Sequence, residues 1–190
     1  LKTKKIVGID PGLCDLLYCV DGSDKKANKF RYSQDERRKT TKSKKYAKIL
    51  LSKKSSELIT YETKLSKMNK KTLDISLYKQ YVKIKNEMNE MFFKTYEQYI
   101  FRKLKLNGYL NRQRSEQKMI NRFEKIFGPP QNTVICIGDF EQKQHMKYKE
   151  PVKGKGFRTL FRKNGYELYL VDEFRTSCKC SKCTGDCEKF

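Results

Sequence analysis

An apolar run at residues 133–138 limits the folds that are open to the chain. It reads Thr-Val-Ile-Cys-Ile-Gly, which predicts a central strand that is buried on both faces. Three shorter strand patterns precede it, at residues 4–10, 16–20 and 28–33. Pro-Gly and Asp-Gly turn signals separate these three patterns, so they are expected to form an antiparallel meander.

A long basic region with helical spacing separates the meander from the central strand. Residues 37–71 contain 13 Lys and Arg against two acidic residues, a net charge of +11. Apolar residues at helical spacing continue to Ile126, and Gly128-Pro129-Pro130 ends the pattern. A short helix around Phe157, capped by Asn164-Gly165, and a last strand at 166–171 follow the central strand. Three antiparallel strands, a helical crossover and then a βαβ unit is the element order of an RNase H-like fold.

We therefore predict an α/β protein with a mixed RNase H-like sheet. Residues 1–36 would supply its first three strands, 37–130 a basic helical insert and crossover, and 131–173 the rest of the sheet. Residues 174–190 are irregular and rich in cysteine. The chain begins at Leu1 rather than Met, so we expect it to be part of a longer protein.

The charge of the chain indicates a polyanionic partner. Its 190 residues include 44 Lys and Arg and 22 Asp and Glu, a net charge of +22, and 37% of them are hydrophobic, enough for a core. A basic excess spread along the chain favours nucleic acid. There is no signal peptide and no apolar run of roughly eighteen residues, so no membrane contact is expected. The candidate phosphate contacts are Arg37, Arg38, Lys42, Lys44, Lys45, Arg112, Arg114, Lys153, Lys155 and Arg158.

Aromatic residues are interleaved with these cations and admit two interpretations. They could stack on bases. At helical spacing they are more often core residues, which is what we expect for Tyr78, Tyr81 and Phe92.

Asp10 is the first candidate for chemistry. It ends a predicted strand directly before Pro11-Gly12, so its carboxylate is expected at a sheet edge on a rigid backbone, where it could bind Mg²⁺. A carboxylate that only caps a β-turn remains the alternative. Asp172 and Glu173 follow the last strand, and either could project toward Asp10 or simply be exposed. Gly138 stands where a side chain at the end of the central strand would reach Asp10.

The seven cysteines point to a metal rather than to disulfides. Four of them lie within ten residues, Cys178, Cys180, Cys183 and Cys187, and an odd total favours a reducing, intracellular compartment. The spacing of Cys180 and Cys183 is that of one zinc-ribbon knuckle, so residues 174–190 are predicted to be the start of an incomplete zinc ribbon at the C-terminal end. Cys178 and Cys187 are further candidate Zn²⁺ ligands, and surface cysteines without metal are the alternative.

These pieces together resemble a known family. Residues 7–12, Val-Gly-Ile-Asp-Pro-Gly, resemble the first RuvC motif of the TnpB-like nucleases, and residues 137–140 lie where the second motif reads Ile-Glu-Asp-Leu. Residues 172–177 with the two-cysteine knuckle resemble the entry to the inserted zinc ribbon of that family. The chain is most similar to Fanzor, the eukaryotic and viral branch, in residues 111–116 and 154–158.

The resemblance implies RNA-guided cleavage of DNA at a RuvC-like site that uses two Mg²⁺ ions. It implies that Asp10 is the first catalytic Asp and that Glu173 replaces the glutamate absent at Gly138, so that both would ligate Mg²⁺. It further implies Zn²⁺ on Cys180 and Cys183, with a third catalytic Asp and a second Cys pair beyond Phe190. The chain alone is therefore not expected to be a complete enzyme. The implied partners are a guide RNA and target DNA, in a nuclear ribonucleoprotein with one protein copy.

Three other functions are compatible with parts of the pattern. A DDE-type transposase or resolvase would share the fold but act without a guide. A non-catalytic nucleic-acid scaffold is suggested by Gly138. An actin-like ATPase has a similar Gly-Ile-Asp-Pro-Gly loop, but the net charge of +22 and the cysteine cluster argue against it.

Overall fold

The structure is a computed structural model, and it describes residues 4–22, 27–139, 153–172, 178–179 and 185. The strands are β1 (Lys5–Asp10), β2 (Asp15–Asp21), β3 (Lys29–Ser33), β4 (Thr133–Gly138) and β5 (Glu167–Val171). The helices are α1 (Gln34–Thr41), α2 (Ser43–Ser52), α3 (Ser56–Ser66), α4 (Ile75–Tyr96), α5 (Tyr99–Phe127) and α6 (Gly154–Lys163). A 3₁₀ turn at Pro130–Asn132 precedes β4.

The five strands form one mixed sheet in the order β3-β2-β1-β4-β5. β2 is antiparallel to both β1 and β3, whereas β4 is parallel to β1 and β5 is parallel to β4. The predicted meander and the predicted parallel pairing of the first and fourth strands are thereby confirmed. β4 lies inside the sheet and is buried at every position except Cys136, which explains its continuous apolar sequence.

The chain divides into two compact units. The first contains Leu1–Arg37 and Arg114–Phe190, and the second contains Arg38–Gln113. The sheet, α6 and the residues of α5 from Arg114 onward therefore belong to the first unit, and α2, α3 and α4 belong to the second.

The core of the first unit lies on one face of the sheet. Val7 and Ile9 of β1 and Ile135 and Ile137 of β4 point into it, together with aromatic residues of α5 and α6. Phe123 is fully buried at its centre. The Phe123 ring meets four other aromatic rings with centroids 4.9–6.0 Å apart, those of Phe30, Phe127, Phe161 and Tyr166. Burying one such ring stabilises a fold by about 1.5–3 kcal/mol.

The predicted cap of α6 is confirmed. Gly165 has a φ of 82°, and its N–H donates to the Arg162 carbonyl at 3.0 Å while the Tyr166 N–H donates to the Phe161 carbonyl at 3.1 Å. These two bonds define a Schellman motif, in which glycine accepts the left-handed conformation at low cost. The motif directs the Tyr166 ring into the core, where burial raises the pKa of its hydroxyl to about 12. β5 begins at the next residue.

The second unit has a much smaller core. Its buried hydrophobic residues are Leu58, Met88, Phe101 and Leu104. Two of its helices, α3 and α4, begin at side-chain caps, since Ser55 accepts a hydrogen bond from the Leu58 N–H at 3.1 Å and Asp74 accepts one from the Ser76 N–H at 2.8 Å. None of the helices that the structure describes combines the length and the apolar content needed to cross a membrane.

The aromatic residues of α4 are more exposed than their spacing predicted. Tyr78 is 48% exposed, so the expectation of a core position is wrong for this residue. Tyr81 and Phe92 are only half-buried. Because Met88 is the one buried residue of α4, the helix has too narrow a buried stripe to cover all its aromatic rings.

Candidate functional site

Three aspartates follow the ends of three neighbouring parallel strands. β1 ends at Asp10, while Asp139 and Asp172 come directly after β4 and β5. The register pairs Ile9 with Ile137 and Gly138 with Val171, and the Asp139 N–H donates to the Val171 carbonyl at 3.0 Å. The carboxyl ends of the three strands therefore meet at one edge of the sheet, which is where ligands bind in many α/β proteins.

Asp10 is presented to solvent by the alternation of β1. Val7 and Ile9 are buried in the core, so Ile6, Gly8 and Asp10 lie on the opposite face, where Asp10 is exposed. The turn that follows is tight, because the Gly12 N–H donates to the Asp15 carbonyl at 2.9 Å. A Cβ on Gly12 would lie 2.7 Å from that same carbonyl oxygen, so only glycine fits. The carboxylate thus lies on a strand end whose backbone is fixed by pairing with β2 and by the tight turn that follows.

Gly138, the residue beside Asp10 in the neighbouring strand, is anchored by a long side chain from α6. The Arg158 guanidinium donates to the Gly138 carbonyl at 2.9 Å, and Arg158 is only 9% exposed. The sequence suggested that Arg158 contacts phosphate. The structure places it beneath the strand end instead, where it holds α6 against β4.

The other predicted metal ligands lie largely outside the described residues. Glu173, Cys180, Cys183 and Cys187 are all in this category, whereas Cys178 is described and exposed. Within the described part of the chain, no three potential ligands come together as a metal group. Asp10 by itself fits a Mg²⁺ ligand, since it is an exposed carboxylate at a rigid strand end. Its partners in such a site stay predictions, as does the zinc site.

The predicted phosphate contacts differ in their surroundings. Arg37 is half-buried, forms an ion pair with Glu116 at 3.2 Å and lies 5.8 Å from the Phe157 ring centroid. The remaining residues of this set are exposed: Arg38, Lys42, Lys44, Lys45, Arg112, Arg114, Lys153 and Lys155. Exposure leaves these side chains within reach of a ligand, and Arg37 is better explained as a packing residue.

The structure also contains a basic groove, and of its lining residues only Arg114 is among the predicted phosphate contacts. The groove runs along α5, has a volume of about 550 Å³ and is lined by Arg114, Gln117, Lys118, Asn121, Arg122 and Lys125. Arg122 is held by an ion pair with Glu36, and its guanidinium stacks 5.2 Å from the Phe30 ring centroid. The signal was present in the sequence, because residues at i, i+4 and i+8 share one helix face.

Comparison with protein-family models and with curated proteins finds no match to this chain. The function is therefore inferred from the residues and their geometry.

Proposed function

We propose that this chain is the RuvC-like nuclease part of an RNA-guided DNA endonuclease of the Fanzor type. The observation that carries the proposal is the position of Asp10 in the sheet. The strand order β3-β2-β1-β4-β5, with β2 alone reversed and β4 and β5 parallel to β1, agrees with the order expected of an RNase H-like sheet and so supports the proposal. Such sheets carry their first catalytic carboxylate on β1, at the edge where β4 also ends.

Asp10 and Glu173 would have the main roles at this edge of the sheet. Asp10 is positioned to bind a divalent ion, because its carboxylate is exposed while its backbone is fixed by the Gly12 turn. Gly138 has no side chain that could bind the ion, and Glu173 is proposed to take the place of the missing carboxylate. Two bound Mg²⁺ ions would stabilise the attacking and leaving oxygens of a phosphodiester.

The groove on α5 supports the nucleic-acid part of the proposal. Arg114, Lys118 and Lys125 are exposed along one side of the helix. They extend over about 16 Å of helix axis at 1.5 Å per residue, a length that spans several phosphates of one strand. We propose that these cations hold a guide or target strand by its backbone, while base pairing with the guide supplies sequence specificity.

The remaining parts of the proposal follow from the resemblance alone. Cys180 and Cys183 would hold Zn²⁺ in the first half of a ribbon, and a second Cys pair and a third Asp would follow Phe190. The protein would act as a ribonucleoprotein in the nucleus.

The proposal is tested by cleavage assays on the full-length protein. It is assembled with a guide RNA and given Mg²⁺ and a DNA duplex that matches or does not match the guide. We expect cutting only of the matched duplex, and loss of cutting in Asp10→Ala and Glu173→Gln. Glu90→Gln, which removes an exposed carboxylate from α4, serves as the control and should cut normally.

Each other outcome points to a different function. Cutting that ignores the guide sequence would indicate a transposase or resolvase, and binding without any cutting would indicate a non-catalytic scaffold. Normal cutting by Glu173→Gln would refute the assignment of the displaced glutamate while leaving Asp10 in place.

A further inference from the structure

The second unit contains an aromatic recess between α3 and α4. Its volume is about 580 Å³, within the roughly 300–1,000 Å³ typical of ligand sites, and its walls include Tyr81, Phe92 and Tyr96. Tyr81 and Phe92 are half-buried and Tyr96 is 37% exposed, so these rings border an open recess rather than a closed core. Aromatic area left open in this way is available to a flat apolar ligand.

The ring of Tyr96 is held in place before any ligand arrives. Its hydroxyl donates to Glu62, its edge meets the Phe101 ring at a centroid distance of 5.1 Å, and the Lys54 ammonium lies 5.6 Å from its centroid. Lys54 also forms an ion pair with Glu62 at 2.7 Å. A wall that is ordered in advance lowers the entropic cost of binding.

The mouth of the recess is positively charged. Lys70 and Lys71 lie in the turn between α3 and α4 and are exposed, and both line the recess. The turn itself is fixed, because the Lys71 N–H donates to the Asn69 side-chain oxygen at 2.9 Å. Glu62 is the acidic residue among the described lining residues, and its charge is already balanced by Lys54. The local field therefore favours an anion.

We propose that this recess binds one unpaired nucleotide of a single-stranded nucleic acid. The base would stack on Phe92 and Tyr81, and the adjoining phosphates would lie against Lys70 and Lys71. Stacking platforms combined with cations are how proteins bind single strands, because every base has a π-face. The charge of the unit agrees: residues 38–113 contain 20 Lys and Arg against six Asp and Glu, a net of +14. An acidic, phosphate-free peptide would not need the flat rings.

This inference rests on the nucleic-acid-binding part of the proposed function and not on cleavage. It is therefore tested by binding alone, in EDTA, with the intact chain. The probes are fluorescein-labelled twelve-nucleotide single strands of RNA and of DNA, and an abasic DNA strand with the same number of phosphates. The RNA and DNA arms identify which polymer the recess prefers.

The decisive variant is Phe92→Leu, with Phe93→Leu as its matched control. Phe93 is the next residue of α4, is 70% exposed and does not line the recess. We expect Phe92→Leu to weaken binding of base-containing strands about tenfold, as loss of one stacked base does, and to leave the abasic strand unaffected. Phe93→Leu should bind all probes like the parent chain. Equal loss in both variants, or equal loss on the abasic strand, would overturn the proposal.

A second pair of variants tests the phosphate contacts independently of the aromatic wall. Lys70→Gln with Lys71→Gln should weaken binding of all three strands and reduce the slope of log affinity against log salt by about 1.4, or about 0.7 for each contact. Lys79→Gln with Lys83→Gln, exposed lysines of α4 outside the recess, should change the slope less. Circular dichroism melts confirm folding of every variant. If the parent chain and the variants bind the strands as predicted here while the cleavage assay shows no cutting, the nuclease proposal fails and the recess proposal stands.

Discussion

At the scale of single residues, the candidate site depends on backbone as much as on its carboxylate. Asp10 is exposed because β1 alternates, and it is fixed because Gly12 allows the Asp15 carbonyl to approach. Gly138 is fixed in turn by Arg158. Neither of these two contacts involves a group that could itself perform hydrolysis, yet both fix the backbone around the carboxylate.

The same chemical change should have opposite effects at two glycines. Gly12→Ala places a methyl group 2.7 Å from a backbone oxygen, so we expect it to lower the free energy of unfolding by about 1–3 kcal/mol. Gly156→Ala meets no atom within 4 Å and lies inside α6, so it should raise the free energy of unfolding by about 0.5–1 kcal/mol. Urea denaturation measures both. Equal effects at the two positions would contradict the tight turn after Asp10.

Arg158 should behave as a structural residue. Arg158→Met removes a buried, charged hydrogen bond to the Gly138 carbonyl, so we expect a loss of about 1.5–3 kcal/mol in the free energy of unfolding. Arg162→Gln, an exposed change on the same helix, should alter it by no more than about 0.5 kcal/mol. If Arg158→Met instead retained stability and reduced the salt dependence of nucleic-acid binding, the original sequence prediction would be the better one.

At the scale of elements, the strands were easier to predict than the helices. Alternation and turn chemistry located the five described strands to within one or two residues, because the burial pattern of a strand is visible in residues that are adjacent in the sequence. The helical spacing that continues to Ile126 predicted helix but not where α5 begins, which is at Tyr99. Asn107-Gly108 usually signals a turn, but the helix continues through it, where Gly108 lies beside the Tyr46 ring. Such tertiary packing has no local signature.

A pH-dependent contact involves the edge strand β5. The Lys4 ammonium at 2.9 Å and the Tyr169 hydroxyl at 2.5 Å both donate to the Glu167 carboxylate, which lowers its pKa below the usual 4.5. A depressed carboxylate pKa stabilises the fold above the unfolded value, and this contribution disappears as the pH falls through the folded value. The contact also raises the pKa of Tyr169.

Glu167→Gln should therefore lower the melting temperature slightly at neutral pH. The difference from the parent chain should persist while the pH is above about 4.5 and close in more acidic solution, where the parent carboxylate is also protonated. Thermal melts across this range measure the gap, with Glu90→Gln on exposed α4 as the control. A difference in melting temperature that widened on acidification would contradict a lowered pKa of Glu167.

At the scale of the whole molecule, charge was the most predictable property and its placement the least. The net charge of +22 is evident from composition, but the groups that each Lys or Arg side chain contacts are not. Arg37 and Arg158 looked like the other cations, yet each contacts protein groups because the fold brings Glu116 or Gly138 to it. The edge shared by β1, β4 and β5 followed from element order, whereas the aromatic recess depended on how α3 and α4 pack.

The groove on α5 gives a prediction for nucleic-acid binding as a whole. Lys118→Gln with Lys125→Gln should make the slope of log affinity against log salt shallower by about 1.8 on duplex DNA, or about 0.9 for each lost contact. Lys64→Gln with Lys67→Gln removes the same charge from exposed positions of the second unit and should change the slope less. Identical slopes for the two pairs would mean that net charge, and not the groove, determines binding.

Binding of a divalent metal by Asp10 at the shared strand edge can be measured in solution without any cleavage assay. Mn²⁺ is titrated into isotopically labelled chain, and the broadening of each backbone amide signal is followed by NMR. We predict that broadening starts at Asp10, Gly12, Gly138 and Asp139, and that Asp10→Asn abolishes it there. Broadening that is centred elsewhere, or that persists unchanged in Asp10→Asn, would show that Asp10 is not a ligand of the metal.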